Sequence, residues 1–131
     1  MNATSLSEFQ NQVSELLLRH RSLLDVLSKH AEANSAVHRA VAKSITECGC
    51  IEVHAQKQKY SQDMTRADAK NMLQTHVFGQ LCDHCLEVIS DELGKNLFYM
   101  TALCNLLQIR LQDVVEREAK KCSTLGFFNL S

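Results

Sequence analysis

Between Leu81 and Leu107 apolar residues recur at three- and four-residue intervals for about seven helical turns, and no proline interrupts them or any other part of the chain. Leu86, Ile89, Leu93, Leu97, Met100, Leu103, Cys104 and Leu107 carry this spacing, which puts them along one side of a helix and makes that helix the expected centre of the fold. The rest of the chain has the same character. Ser5 and Glu8 form a capping-box start. Phe9, Val13, Leu16, Leu17, Leu24 and Leu27 follow as one stripe, with His20 falling on it as a core-edge residue. The cluster Glu32-Ala33-Asn34-Ser35 predicts a break, because asparagine and serine compete for backbone hydrogen bonds. A second helix then carries Val37, Ala40, Val41, Ser44 and Ile45 inward and ends at Gly49. Residues 51–64 are polar and read as a mobile connector. Thr65 to Asp68 predicts a short helix that continues to about Phe78 and stops at Gly79. A last helix from about Leu111 to Lys121 points Val114 and Val115 inward, and Leu125 to Phe128 forms an apolar tail. No segment reads as a convincing strand. The expected architecture is all-α: a single domain spanning 1–131, an antiparallel bundle of four to five helices.

Charge excludes some functions. Fourteen Lys and Arg against fifteen Asp and Glu give a formal net charge of −1, so there is no basic stripe to release counterions from a nucleic acid. No apolar run approaches the ~20 residues that cross a bilayer. The first residues lack the basic and apolar regions of a signal peptide, which predicts a cytoplasmic protein whose six cysteines stay reduced.

Four of those cysteines are the most chemically specific feature. Cys48-Gly49-Cys50 and Cys82-Asp83-His84-Cys85 both fall at expected helix boundaries, where thiolates can converge without disturbing a helix interior. If the two ends meet, Cys48, Cys50, Cys82 and Cys85 have the number and softness to hold a tetrahedral zinc ion. His84 can stand in for one thiolate or lie just outside it. Three other readings stay open on sequence alone: an iron–sulfur cluster, a redox dithiol, and small apolar packing residues. Cys104, in mid-stripe, reads as core; Cys122 has no obvious partner.

Asp83, Glu87 and Asp91 recur every four residues, with Glu92 beside the last, and a row of carboxylates of this kind suits magnesium or a solvated acidic face. The segment Asp91-Glu92-Leu93-Gly94-Lys95-Asn96-Leu97-Phe98-Tyr99 resembles the second signature of the MazG-like, all-α nucleoside triphosphate pyrophosphohydrolases, and Leu106 to Val115 resembles the loop and helix that follow it. The resemblance implies an NTP-pyrophosphatase-like helical bundle, often dimeric or tetrameric, in which acids from two helices hold magnesium and split a nucleoside triphosphate into monophosphate and pyrophosphate. It assigns Glu92 to the signature glutamate. The aspartate expected three residues later is Lys95, and the stretch expected to carry the first motif's acids, Arg39 to Ser44, has none. An ammonium in place of a carboxylate repels the ion the site must hold. The sequence therefore predicts a catalytically degenerate bundle kept as a structural or interaction module. The alternative is an active magnesium enzyme using Asp83, Glu87, Asp91 and Glu92, with a nucleotide as its ligand. A homodimer is the expected assembly, with the Phe9, Val13, Leu16, Leu17 stripe and the Phe127-Phe128 tail covering leftover apolar surface.

Overall fold

The computed structural model describes residues 3–17, 21–59 and 62–125. Among these are five α-helices and one small two-stranded sheet: α1 (Leu6–Leu16), α2 (Leu23–Lys43), β1 (Ile51–Val53), α3 (Arg66–Met72), β2 (Val77–Gly79), α4 (Asp83–Leu106) and α5 (Leu111–Leu125). No helix among the described residues is long and apolar enough to cross a membrane.

Helices α2 and α4 form the main packing seam and run antiparallel. Ala40, Ser44 and Cys48 of the α2 end share a cavity with His84, Cys85 and Val88, whereas Lys29 and Ala33 lie across from Glu92, Lys95 and Tyr99. Helix α1 lies over the C-terminal part of α4. There Val13, Leu17, Val26 and Ala102 make the buried core, and Phe9, Phe98 and Leu103 pack around it. Gln10 fastens the same end: its amide donates to the Ile109 carbonyl (2.8 Å) and accepts from the Leu111 N–H (2.8 Å), while Asn105 donates to its backbone carbonyl (3.2 Å).

Several boundaries differ from the sequence reading. Helix α1 starts as expected, with the Ser5 hydroxyl accepting from the Glu8 N–H at 3.1 Å, but it ends at Leu16. Leu17 turns into the core while Leu16 faces solvent. His20 lies outside the described residues. The break expected at Glu32 to Ser35 does not occur, and α2 runs straight through it. The reason is tertiary: the Asn34 side chain accepts from the Asn96 amide across the seam, so it does not compete for its own backbone. The long α4 stripe also splits. Ile89, Cys104 and, in part, Leu103 turn inward, but Leu86, Leu93, Leu97, Met100 and Leu107 stay substantially exposed. On α5 Leu111 is buried, whereas Val114 and Val115 face outward, not inward. Phe127-Phe128 of the expected tail lies outside the described residues.

The largest correction is the sheet. Part of the expected connector, and the end of the expected 65–78 helix, form an antiparallel ladder pairing Ile51 with Gly79, Glu52 with Phe78 and Val53 with Val77. The His54 N–H extends it by donating to the His76 carbonyl at 2.9 Å. Helix α3 begins at the expected Thr65/Asp68 capping box and stops at Met72. Beyond it the Gln58 side chain pairs with both backbone groups of Gln74 (2.6 and 3.1 Å), holding that chain extended toward β2.

Two glycines shape the turn into and out of this ladder. Gly49 has φ +76 with open space where a Cβ would project. Gly79 has φ +92, and a Cβ there would sit 2.6 Å from the Cys50 carbonyl oxygen. Gly49→Ala is therefore expected to cost about 1 kcal/mol, the left-handed penalty alone. Gly79→Ala adds a clash with backbone and should cost about 2–3 kcal/mol. Thermal unfolding of the two variants checks this ranking; equal losses would contradict the close approach at Gly79.

Candidate metal centre

The end of α2 does not close as an ordinary helix. From Ser44 to Cys48 the chain widens into a π-helical turn, the Gly49 N–H donating to the Ser44 carbonyl five residues back at 2.9 Å. The Ser44 hydroxyl is fully buried and donates to the Val41 carbonyl at 2.6 Å, which secures the wide turn from inside. Cys48 is its last residue. Gly49 then reverses the chain, so that Cys50 returns toward the seam before β1 begins. A residue inserted by a π turn re-aims the side chains that follow it, and here those side chains are Cys48 and Cys50.

The second pair arrives through the hairpin. With Ile51 paired to Gly79, residues Gln80 and Leu81 carry the chain straight to Cys82, which is the N-cap of α4. Its sulfur accepts from the Cys85 N–H at 3.4 Å, as a serine or aspartate oxygen does at other helix starts. Cys85 sits in the first turn, buried against the seam.

The four sulfurs converge. Cys48 and Cys82 are 3.8 Å apart, and the ligand atoms of Cys48, Cys50, Cys82 and Cys85 all lie within 4.8 Å of one another. A tetrahedral shell with metal–sulfur bonds of ~2.3 Å has edges of about 3.8 Å, so small rotations about χ1 bring this cluster onto one ion. None of the cysteines is in a disulfide. Four thiols this close also perturb one another. The backbone N–H and then the thiol of Cys85 both donate to Cys82, lowering it to about 7. The Cys82 sulfur, followed by burial, pushes Cys85 up to about 12. Cys82 is thus the thiol that ionises most readily, and Cys85 beside it gives up its proton only with a cation at the centre.

The other residues singled out in the sequence do not join this group. His84 stands outside it and lines a cavity of ≈ 300 Å³ with Lys43, Glu47 and Val88. Among the described residues, no three of Asp83, Glu87, Asp91 and Glu92 come close enough to share an ion; the cysteine quartet is the one such group of acids, histidines or cysteines. Glu92 pairs with Lys95 at 3.5 Å. The part of α2 facing it is Lys29 to Ala36, not Arg39 to Ser44, and contributes Glu32, itself paired with Lys29 at 3.5 Å. Cys104 is buried as expected, and Cys122 is exposed.

What the sequence reading missed is the means of convergence. The π turn has no signature in Ser44-Ile45-Thr46-Glu47-Cys48, and strands of three residues are too short for alternation to show. Gly79, three residues before Cys82, is the one local signal that a backbone passes close by. No protein-family profile, curated protein or solved structure matches this chain.

Proposed function

We propose that the chain is a helical interaction module clamped at one end by a structural zinc ion bound to Cys48, Cys50, Cys82 and Cys85. The observation that carries this reading is the convergence within 4.8 Å of four sulfurs, two from the end of α2 and two from the start of α4, at one end of the helix pair. Four thiolates fill a tetrahedral shell and leave no coordination position for a substrate, which is the arrangement of structural zinc and not of catalytic zinc. In an iron–sulfur cluster the thiolates bind different irons and stand farther apart than ligands of one ion; the compact quartet favours the single ion. The clamp ties the α2 terminus, the hairpin and the start of α4 into one unit, a junction with little apolar packing of its own.

On the MazG resemblance, this is a bundle without the family's magnesium site. Lys95 beside Glu92 and Lys29 beside Glu32 support that reading, since the two carboxylates lining the seam at that level each have an ammonium partner. Dispersed carboxylates cannot offset the desolvation of a magnesium ion and a triphosphate. Purified chain given magnesium and a mixture of nucleoside triphosphates should release no pyrophosphate above a no-protein control. Turnover abolished by Glu92→Gln would replace this reading with the enzymatic one.

Zinc should be present at one equivalent per chain by elemental analysis, and Cys82→Ser should remove most of it and lower the melting temperature substantially. The pH dependence has a fixed sign. Binding needs thiolates, and Cys85 stays protonated to about 12, so its proton leaves on binding at every working pH. Below about 7 Cys82 is protonated too, and its proton must also leave. Cys48, held above the ordinary thiol value, loses its proton as well, so zinc affinity should fall at least ~100-fold per unit as pH drops toward 7, and at least ~1,000-fold per unit below it. Competition with a chromophoric chelator across pH 6 to 8 reads these slopes; a flat profile would rule out thiolate ligation. An intact Tm in Cys82→Ser together with no bound metal would leave the quartet as packing residues.

A further inference from the structure

The four sulfurs of the metal centre are not equivalent. Cys48 is exposed, Cys50 and Cys82 are half-buried, and Cys85 is buried. Cys50 turns back into the wide turn, where its sulfur donates to the Ser44 carbonyl at 3.8 Å. Cys85 is fixed in the first turn of α4, against the seam. Cys48 and Cys82 instead meet each other: their sulfurs are 3.8 Å apart, joining the last residue of the π turn to the N-cap of α4. A disulfide requires the sulfurs to close to about 2.05 Å. The backbone beside Cys48 has room to yield, because Gly49 follows it with open space around its Cα. The cavity of ≈ 300 Å³ lined by Cys48, Cys85, Lys43 and His84 reaches this side of the quartet, so a small reagent has a path to Cys48.

We propose that Cys48 and Cys82 are an oxidisable pair, which a peroxide converts to a disulfide while the zinc ion leaves. The proposal rests on the zinc reading above and adds the class of reagent that unloads the site. Exposure and thiolate character decide which cysteine a peroxide attacks, and a zinc-bound sulfur is a thiolate already. The Cys48 sulfur attacks one peroxide oxygen; the O–O bond breaks, hydroxide departs, and Cys48 carries a sulfenic acid. The Cys82 thiolate, the sulfur in contact with it, then attacks the Cys48 sulfur. The S–S bond forms, the S–O bond breaks, and a second hydroxide departs. The two sulfurs together give up two electrons, the peroxide accepts them, and two protons turn the hydroxides into water. Zinc is neither oxidised nor reduced. Cys50 and Cys85 alone leave its tetrahedral shell half empty, so the ion dissociates and each of these sulfurs takes up a proton. The new bond ties the same two elements that the ion tied, the end of α2 and the start of α4. Oxidation therefore unloads the metal without opening the clamp, whereas a chelator removes metal and clamp together.

The test uses the reduced, zinc-loaded full chain carrying Cys122→Ser, which removes an exposed thiol that lies outside the quartet. A few equivalents of hydrogen peroxide are added beside a chromophoric chelator. Zinc should appear in step with the loss of two thiols per ion, and dithiothreitol with added zinc should reverse both changes. Trypsin should then yield peptide 44–57 joined to peptide 71–95, with fragment ions placing the bond at Cys48 and Cys82. The oxidised chain should keep its helical circular dichroism and melt above the chelator-stripped reduced chain. Cys50→Ser should still give the same joined peptides, and Cys48→Ser should not. A bond confined to peptide 44–57 or to peptide 71–95 would overturn the proposal. So would thiol loss with zinc retained, or a sulfinic acid on Cys48 as the main product. A reduced chain that holds no zinc before peroxide is added defeats the zinc reading and this proposal with it. A chain that holds zinc and then fails any of the later steps defeats this proposal alone.

Discussion

Among the described residues, the largest side chains withdrawn completely from solvent are two valines, Val13 and Val26, with Thr101 and Ser44. Burying a valine contributes roughly 1.5–3 kcal/mol, while ordering each residue costs about 1–2 kcal/mol of backbone entropy. A core this thin cannot by itself hold long helices in one arrangement. The rest of the structure follows from that constraint: specific polar and sulfur contacts fix positions that large apolar side chains fix elsewhere, and several large apolar side chains of α2 and α4, Leu27, Leu86 and Leu93 among them, stay exposed.

Specific polar and sulfur contacts fix how the helices sit. Gln10 fastens α1 to the α4–α5 corner by satisfying backbone groups on both of its sides. In the α2–α4 seam, Asn34 and Asn96 meet near the centre, and at the cysteine end the sulfurs of Cys48 and Cys82 approach to 3.8 Å. Apolar contacts tolerate sliding by a turn, since one leucine fits much as another does. An amide pair or a set of convergent thiols does not, because a shifted partner leaves a polar group unpaired. Register is therefore specified by the polar contacts, and apolar burial supplies attraction without setting the offset.

Helical content and the cysteine quartet were legible because each is a local pattern with a strong chemical reason: 3.6-residue periodicity without proline, and paired thiols at helix ends. The errors have tertiary causes. Asn34 reads as a helix breaker only when its partner 62 residues away is unknown. Leu93 and Leu97 read as core because periodicity reports that a face is apolar but not what covers it. Val77 and Phe78 continue a helical pattern in isolation, and it is the ladder to Ile51 and Val53 that makes them a strand. Glu92 and the acids before it keep a helix-face spacing that sequence alone cannot separate from a metal site; the separation comes from seeing which groups converge.

The cysteine end and the exposed apolar side chains are not independent. Leu27 and Val41 of α2 and Leu86 and Leu93 of α4 keep fixed positions relative to one another only while the two helices keep one rotation and one offset. At the sulfur end that alignment is controlled by Cys48 following the π turn and Cys82 capping α4, with Gly79 admitting the Cys50 carbonyl between them. If one ion draws the sulfurs together, it also fixes the angle at which Val41 and Ile45 stand beside Leu86. Release of the ion from the reduced chain would free that end to splay while the Asn34–Asn96 contact nearer the centre of the seam stays made.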